Sequence, residues 1–225
     1  MEFGYWKIRG LGSVFRMVFE YKQASYVDKQ YCTRDDWFKD RKPAIKALNP
    51  LANLPYLVDG DTCVCQTNAV LYYLGEKYGL NGRTFEQKLV NQQLLAEIYD
   101  LRNSLIELCY PSHHITRSKE EFKEKAPKHI DAALFAKFEA ILKKTGATWF
   151  VLEGGPAVAD FHIWEMLDQH KILAEQLGAG DIFANIPNCK AFYDAFRALP
   201  TLQKYFSSED YKLPINYEPD GAYFW

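Results

Sequence analysis

No stretch of this chain approaches the roughly 20 consecutive apolar residues that span a bilayer, so a transmembrane helix is excluded. Charge of neither sign dominates. The 27 basic and 29 acidic residues leave a formal net charge of -2, and no global field draws nucleic acid or anionic lipid. The five cysteines are odd in number and irregularly spaced, which supplies no disulfide framework. A reducing cytoplasmic setting is therefore expected. Glu2, Lys7 and Arg9 stand among the first nine residues without an apolar core, so neither a secretory signal nor a transit peptide is expected. No repeat or low-complexity tract is visible. Metal or dithiol redox chemistry is not expected either. Cys63-x-Cys65 reads as small strand residues with no Cys-x-x-Cys after the first strand, and His113-His114 reads as surface histidines without partners at zinc spacing.

What is present is the composition of an ordinary globular protein, 48% hydrophobic and 25% charged, long enough for one large domain or two small ones. Residues 2–8 read as a strand. Ser13 then precedes Val14, Phe15, Val18 and Phe19, a helical face with Ser13 as N-cap. A second strand over 26–32 completes a βαβ unit, whose crossover implies a parallel pair. A charged, irregularly helical stretch over 35–48, broken by Pro43, leads to LPYLVDGDTCVCQ, where Asp59-Gly60 between alternating runs marks a hairpin. A helix over 67–78 ends at Gly79. The order βαβαββα predicts an α/β domain over residues 1–80.

Beyond a linker at 81–87 the strand signals vanish. Leu94, Ile98, Leu101, Leu105 and Leu108 give residues 87–110 the seam of a long amphipathic helix, with Thr84-x-x-Gln87 as its capping box and Pro111 as its stop. Further helices fit 119–144, 160–177 and 188–199. The second domain, 86–225, reads as an all-α bundle.

Ligands of open α/β sheets collect at the carboxyl ends of strands and the N-termini of helices. Three stretches converge there. Tyr5-Trp6 ends the first strand, Asn53-Leu54-Pro55 leaves a main-chain edge where an extended peptide can pair, and Gln66-Thr67-Asn68 opens a helix suited to a carboxylate. Each also has a bland reading, as packing aromatics or an ordinary cap. On the long helix Tyr99, Ile106 and Tyr110 form a second stripe that either packs on a neighbouring helix or faces a ligand.

The motifs GYWKIRGL, NLPYL, QTNAVLYYL and DLRNSLIELCY, with SSEDYKLPIN near the end, resemble those of cytosolic glutathione transferases, mu-class-like with pi-class features, from end to end. The resemblance implies a thioredoxin-like first domain and a homodimer that conjugates glutathione, as co-substrate rather than tightly bound cofactor, to small hydrophobic electrophiles in detoxification. It implies that Tyr5 donates a hydrogen bond to the glutathione sulfur beside Trp6 and Leu11, that Asn53 and Leu54 hold the cysteinyl backbone with Pro55 cis, and that Gln66 and Thr67 bind the γ-glutamyl carboxylate. It places Asp100 of the second subunit on the γ-glutamyl amino group and Trp37 on the glycyl carboxylate, with Arg41 or Lys46 as the nearby base. Ile8, Leu11, Tyr99, Ile106 and Tyr110 would form the electrophile wall, between the domains. Two departures stand out. Ala157 has replaced the hydroxyl of a helix cap ahead of Asp160, and Leu51 stands where an aromatic dimer key is usual. The rival readings are a non-catalytic carrier of hydrophobic ligands and a crystallin-type structural member.

Overall fold

The computed structural model describes residues 1–113, 115–130 and 132–224, and the side chains of His113-His114 fall outside the described residues. Strand β1, Glu2–Trp6, buries Phe3, Gly4 and Tyr5. It pairs in parallel with β2, Val27–Tyr31, and antiparallel with β3, Tyr56–Asp59, which turns through Asp59-Gly60 into β4, Thr62–Cys65. The strand order is β2-β1-β3-β4. At Gly4 the strand lies tight against a neighbouring ring, since a Cβ there would stand 2.1 Å from Cε1 of Tyr56. A side chain on the central strand would expel that ring.

Helix α1, Gly12–Tyr21, starts before the expected cap. The Ser13 N–H already bonds the Arg9 carbonyl at 3.0 Å, so the first turn forms ahead of it, and Leu11 holds the N-cap position instead. Over 36–48 a π-helical turn, Asp36–Arg41, runs into α2, Lys42–Leu48. Pro43 does not break this segment. It lies in the first turn of α2, where the helix changes from π to α. Helix α3, Thr67–Tyr78, follows the hairpin and has the expected bounds.

The first compact unit comprises Met1–Leu80 and also Pro200–Ile215, a segment that the sequence reading assigned to the helical domain. A 3-10 turn, Pro200–Leu202, and a short helix α9, Gln203–Phe206, lie against α1 and bury Leu202, Tyr205 and Phe206. Apolar side chains bring this strap back.

The second unit, Asn81–Leu199 with the chain from Asn216 on, is helical. Helix α4, Phe85–Cys109, carries the expected box: Thr84 accepts from the Gln87 N–H at 3.2 Å, and Gln87 reaches back to the Thr84 N–H. The expected single helix over 119–144 is two, α5, Lys119–His129, and α6, Ala136–Thr145, separated by a 3-10 turn, Ala132–Phe135. Pro127 stands inside α5, which runs on past it to His129 before the helix ends. Helix α7, Val158–Leu177, is buried on every side from Val158 to His170 and packs on α4, as a central helix must. Trp164 stacks on Tyr193 and Phe196 of α8, Pro187–Arg197, at centroid distances of 5.4 and 5.1 Å. At the start of α7 only half a capping box survives. Ala157 offers no acceptor, while the Asp160 carboxylate accepts from the N–H groups of Ala157 and Phe150 at 2.9 and 3.0 Å.

Candidate active site

Register decides which residues meet at one end of the sheet. Gly4 stands opposite Tyr56, and Tyr56 opposite Cys65. Because β3 runs against its neighbours, β1 and β4 leave the sheet where β3 enters it. Tyr5-Trp6, Asn53-Leu54-Pro55 and Gln66-Thr67 are thereby gathered at one edge. Strand β2 ends there as well, with Tyr31 opposite Trp6.

Tyr5 is 4% exposed, and its Oη accepts the Leu11 N–H at 3.2 Å. The phenolic proton remains to be donated. An accepted bond polarises the phenol and makes it a better donor. Ile8 and Leu11 are buried in the loop after β1, and Trp6 is half-buried against the aromatic cluster below. Gly10 permits the loop: its φ is +40°, and a Cβ would stand 3.0 Å from the Tyr5 Oη.

Trp37 is 1% exposed and stacks on Tyr56 at 5.8 Å, in a cluster with Tyr31, Ile45, Ala52 and Cys65. Arg41 is turned into the same region. Its Nη2 pairs with Glu2 at 2.5 Å and its Nε donates to the Tyr56 hydroxyl at 3.3 Å, while Tyr56 donates to Glu2 at 2.7 Å. Since the single Tyr56 proton goes to Glu2, Tyr31 must be the donor in its 2.7 Å bond to Tyr56. Burial raises both phenol pKa values, so this chain of hydroxyls stays protonated. Burial likewise pushes the Cys63 thiol up to about 11, which disqualifies it as a thiolate nucleophile. Lys46, by contrast, is exposed on α2.

The Leu54-Pro55 bond is cis. Asn53 is exposed, Leu54 half-buried and Pro55 buried. Gln66 holds φ +75° and ψ 129°, a left-handed backbone that costs a non-glycine residue on the order of 1–3 kcal/mol. Its carbonyl still accepts the Val70 N–H at 2.9 Å, so the distortion turns the chain straight into α3. Thr67, 4% exposed, is the first residue of that helix, where main-chain N–H groups lack helical partners.

In the second unit, Asp100 is exposed on α4, and Tyr99, Ile106 and Tyr110 are half-buried. The Tyr99 ring lies edge-on to His162 at 6.4 Å, and the Tyr110 hydroxyl accepts the Tyr217 N–H at 2.7 Å.

Two family descriptions match the chain, "Glutathione S-transferase, N-terminal domain" over residues 1–76 and "Glutathione S-transferase, C-terminal domain" over 99–209. Glutathione S-transferase Mu 3 of Homo sapiens is 33% identical over 221 residues, which cover 96% of this chain and 92% of that protein. The chain belongs to the glutathione S-transferase family. Glutathione S-transferase Mu 2 of Rattus norvegicus is 35% identical over 212 residues, covering 92% of this transferase and 91% of its relative. Among solved structures, the glutathione S-transferase Blo t 8 has a TM-score of 0.82 at 25% identity, and the Onchocerca volvulus Pi-class enzyme has 0.79 at 26%. Each alignment covers 96% of both chains.

The sequence reading passed over the residues that hold the Tyr5 loop of the transferase. Arg16 is 1% exposed inside α1. It donates to the Ile8 carbonyl at 2.8 Å, to the Trp6 carbonyl at 3.5 Å and to Asp28 at 2.8 Å. Burial works against its charge, and the Asp28 carboxylate more than offsets this, leaving its pKa raised. The signal was present: an arginine inside the apolar run VFRMVF must find partners.

Proposed function

We propose that this transferase activates the thiol of glutathione at Tyr5 and joins its sulfur to small hydrophobic electrophiles, a detoxification chemistry. The observation that carries the reading is the gathering, by register, of a buried phenol, a main-chain edge before a cis proline and the N-terminus of α3 at one end of one sheet.

A free thiol with pKa near 8.5 is only a few per cent ionised at neutral pH. A hydrogen bond to an ionised group contributes about 1.5–3 kcal/mol and one pKa unit is about 1.36 kcal/mol, so one phenol lowers the thiol by roughly one to two units. The thiol proton leaves to solvent. The sulfur lone pair then forms the new C–S bond, and the leaving group departs with the electron pair of the bond it held.

Asn53 and Leu54 pair the cysteinyl backbone of glutathione. Gln66 and Thr67 take the γ-glutamyl carboxylate, and Asp100 of a second copy takes its ammonium. For the glycyl carboxylate, Lys46 is the better candidate, because Arg41 already pairs with Glu2 and the Trp37 indole is packed on Tyr56. In the first unit Ile8 and Leu11, and in the second Tyr99, Ile106 and Tyr110, are the side chains assigned to the electrophile, and apolar contacts of this kind discriminate weakly among apolar substrates. The working form is a homodimer in the cytoplasm. Leu51 in the first unit and Phe85, Leu89 and Val90 on α4 are exposed apolar side chains, and a second copy would cover them. A recess of about 170 Å³ between α4 and α6, lined by Val90, Leu94, Phe138 and Ile141 among others, is of a size to take a leucine.

Retention on immobilised glutathione followed by conjugation of an aryl halide tests the reading. Retention with turnover is expected. Retention without turnover would turn the reading into that of a carrier, and failure of both would leave a structural member of the family.

A further inference from the structure

The strap from Pro200 to Ile215 meets the transferase at the loop that carries its chemistry. The Arg9 N–H donates to the Pro214 carbonyl at 2.7 Å and the Gly10 N–H to the Ile215 carbonyl at 2.9 Å, so strap and loop are tied backbone to backbone. The Arg9 guanidinium, in a residue 3% exposed, lies over the Tyr211 ring with 4.6 Å to its centroid. Tyr211 is itself wedged edge-on against Tyr205 and Phe206. A second line of contacts runs through side chains. Asp210 accepts from Gln30 at 2.8 Å, Gln30 donates to Asp28 at 2.8 Å, and Asp28 holds the Arg16 that donates to the Ile8 and Trp6 carbonyls. Gln30 is the register partner of Tyr5. Both lines end on residues 6–10, and the next N–H along the chain, that of Leu11, is the one bonded to the Tyr5 hydroxyl.

We infer that the strap, through Tyr211 and Asp210, is a positioning element for thiol activation: it fixes the loop so that the Leu11 N–H polarises Tyr5. Neither residue touches the reacting atoms in this account. They act by holding a backbone donor within reach of the phenol, whose span of 3.2 Å leaves little room for drift. The inference rests on the reading of Tyr5 given above. It adds that a segment far along the chain sets how strongly that phenol donates.

The test is the pH profile of conjugation, together with ultraviolet titration of the bound thiolate, in wild type, Tyr211→Leu, Tyr211→Phe and Asp210→Ala. Tyr211→Leu removes the ring under Arg9 and should cut kcat roughly 3- to 10-fold at about pH 6.5, the rate equivalent of one weakened hydrogen bond. The loss should shrink below about twofold once the pH exceeds that of the free thiol, near 8.5, where thiolate forms without help. The KM for glutathione should hold. Tyr211→Phe keeps the ring and should behave as wild type. Asp210→Ala should move in the same direction by a smaller factor, and it carries the test alone if Tyr211→Leu does not fold. In a Tyr5→Phe background the strap substitutions should cost nothing further, because their effect passes through the phenol. A loss that is uniform across pH, or that persists beside Tyr5→Phe, would overturn the inference. An unperturbed thiol in the wild type would instead remove the reading on which it stands, and a wild-type thiolate unchanged by the strap variants would sink the strap alone.

Discussion

Arg16 in the first unit and His162 in the second are both buried polar side chains in helices, and their surroundings could hardly differ more. The guanidinium meets a carboxylate and two backbone carbonyls. The imidazole has no hydrogen-bond partner on either nitrogen among the described residues. In the first unit, buried Arg16 and Arg9 tie down the loop that follows Tyr5, and Glu2, Tyr56 and Arg41 satisfy one another. In the second it serves the helix core, and the buried histidines are held neutral. Burial lowers His162 and His170 to about 3 and His129 to about 4, and it raises Asp160 to about 7. The His129-His170 pair shows how neutrality is used. Nδ1 of His170 donates to the Met166 carbonyl at 2.7 Å, so its Nε2 is bare and accepts from His129 at 3.3 Å. A second proton would set two donors face to face.

This contrast between the buried polar groups of the two units can be tested from either side. The largest effect should come from Trp164→Ala, which empties a fully buried site against two stacked rings and should cost about 3–5 kcal/mol in denaturant unfolding. The protein that remains folded should show an unchanged bound-thiol pKa.

Acid should act on the second unit next. Between about pH 4 and the ordinary histidine value near 6.5, the unfolded chain binds protons that the folded histidines refuse, so stability rises with pH there and is lost on acidification. Asp160 acts with the opposite sign, because between about 4 and 7 the folded state holds a proton that the unfolded chain has released. Three histidines oppose one carboxyl, and the net should be a loss on the order of a few kcal/mol from pH 6.5 to 4, read by thermal melts across pH. His162→Leu should raise stability at neutral pH by about 1 kcal/mol and flatten that slope.

The first unit should respond in binding rather than in stability. Thr67→Ala should raise the KM for glutathione roughly 5- to 10-fold and that for the electrophile little. Lys46→Ala should raise it about 2- to 5-fold with Tm unchanged, whereas Arg41→Met should lower Tm by removing the cation paired with Glu2. The reverse pattern would return the glycyl carboxylate to Arg41. The smallest effect expected is on assembly. Leu51→Phe should tighten the proposed dimer by about 1 kcal/mol where the surface that receives it has room for a ring, as sedimentation over a dilution series would show.

Local features were legible in the sequence. Thr84 and Gln87 announce the start of α4, Gly79 stops α3 and Asp59-Gly60 turns the hairpin, because each acts within a few residues of itself. What escaped was tertiary. The strap returns to the first unit because Leu202, Tyr205, Phe206 and Ile215 find burial there, and nothing in their own spacing names the surface they cover. Trp37 and Arg41 show the same limit at the site, since the indole and guanidinium answer to Tyr56 and Glu2, one of them nearly forty positions away in sequence. A charged run that reads through Pro127 likewise hid the break between α5 and α6.

The central claim is that Tyr5 holds a glutathione thiolate. Its most direct test is ultraviolet difference titration of glutathione bound to the wild type and to Tyr5→Phe. The bound thiol should titrate roughly one to two units below the free value near 8.5 in the wild type and return toward that value in Tyr5→Phe with glutathione affinity little changed. A wild-type thiol that titrates like free glutathione, or a depressed pKa that survives the loss of the phenol, would contradict the claim.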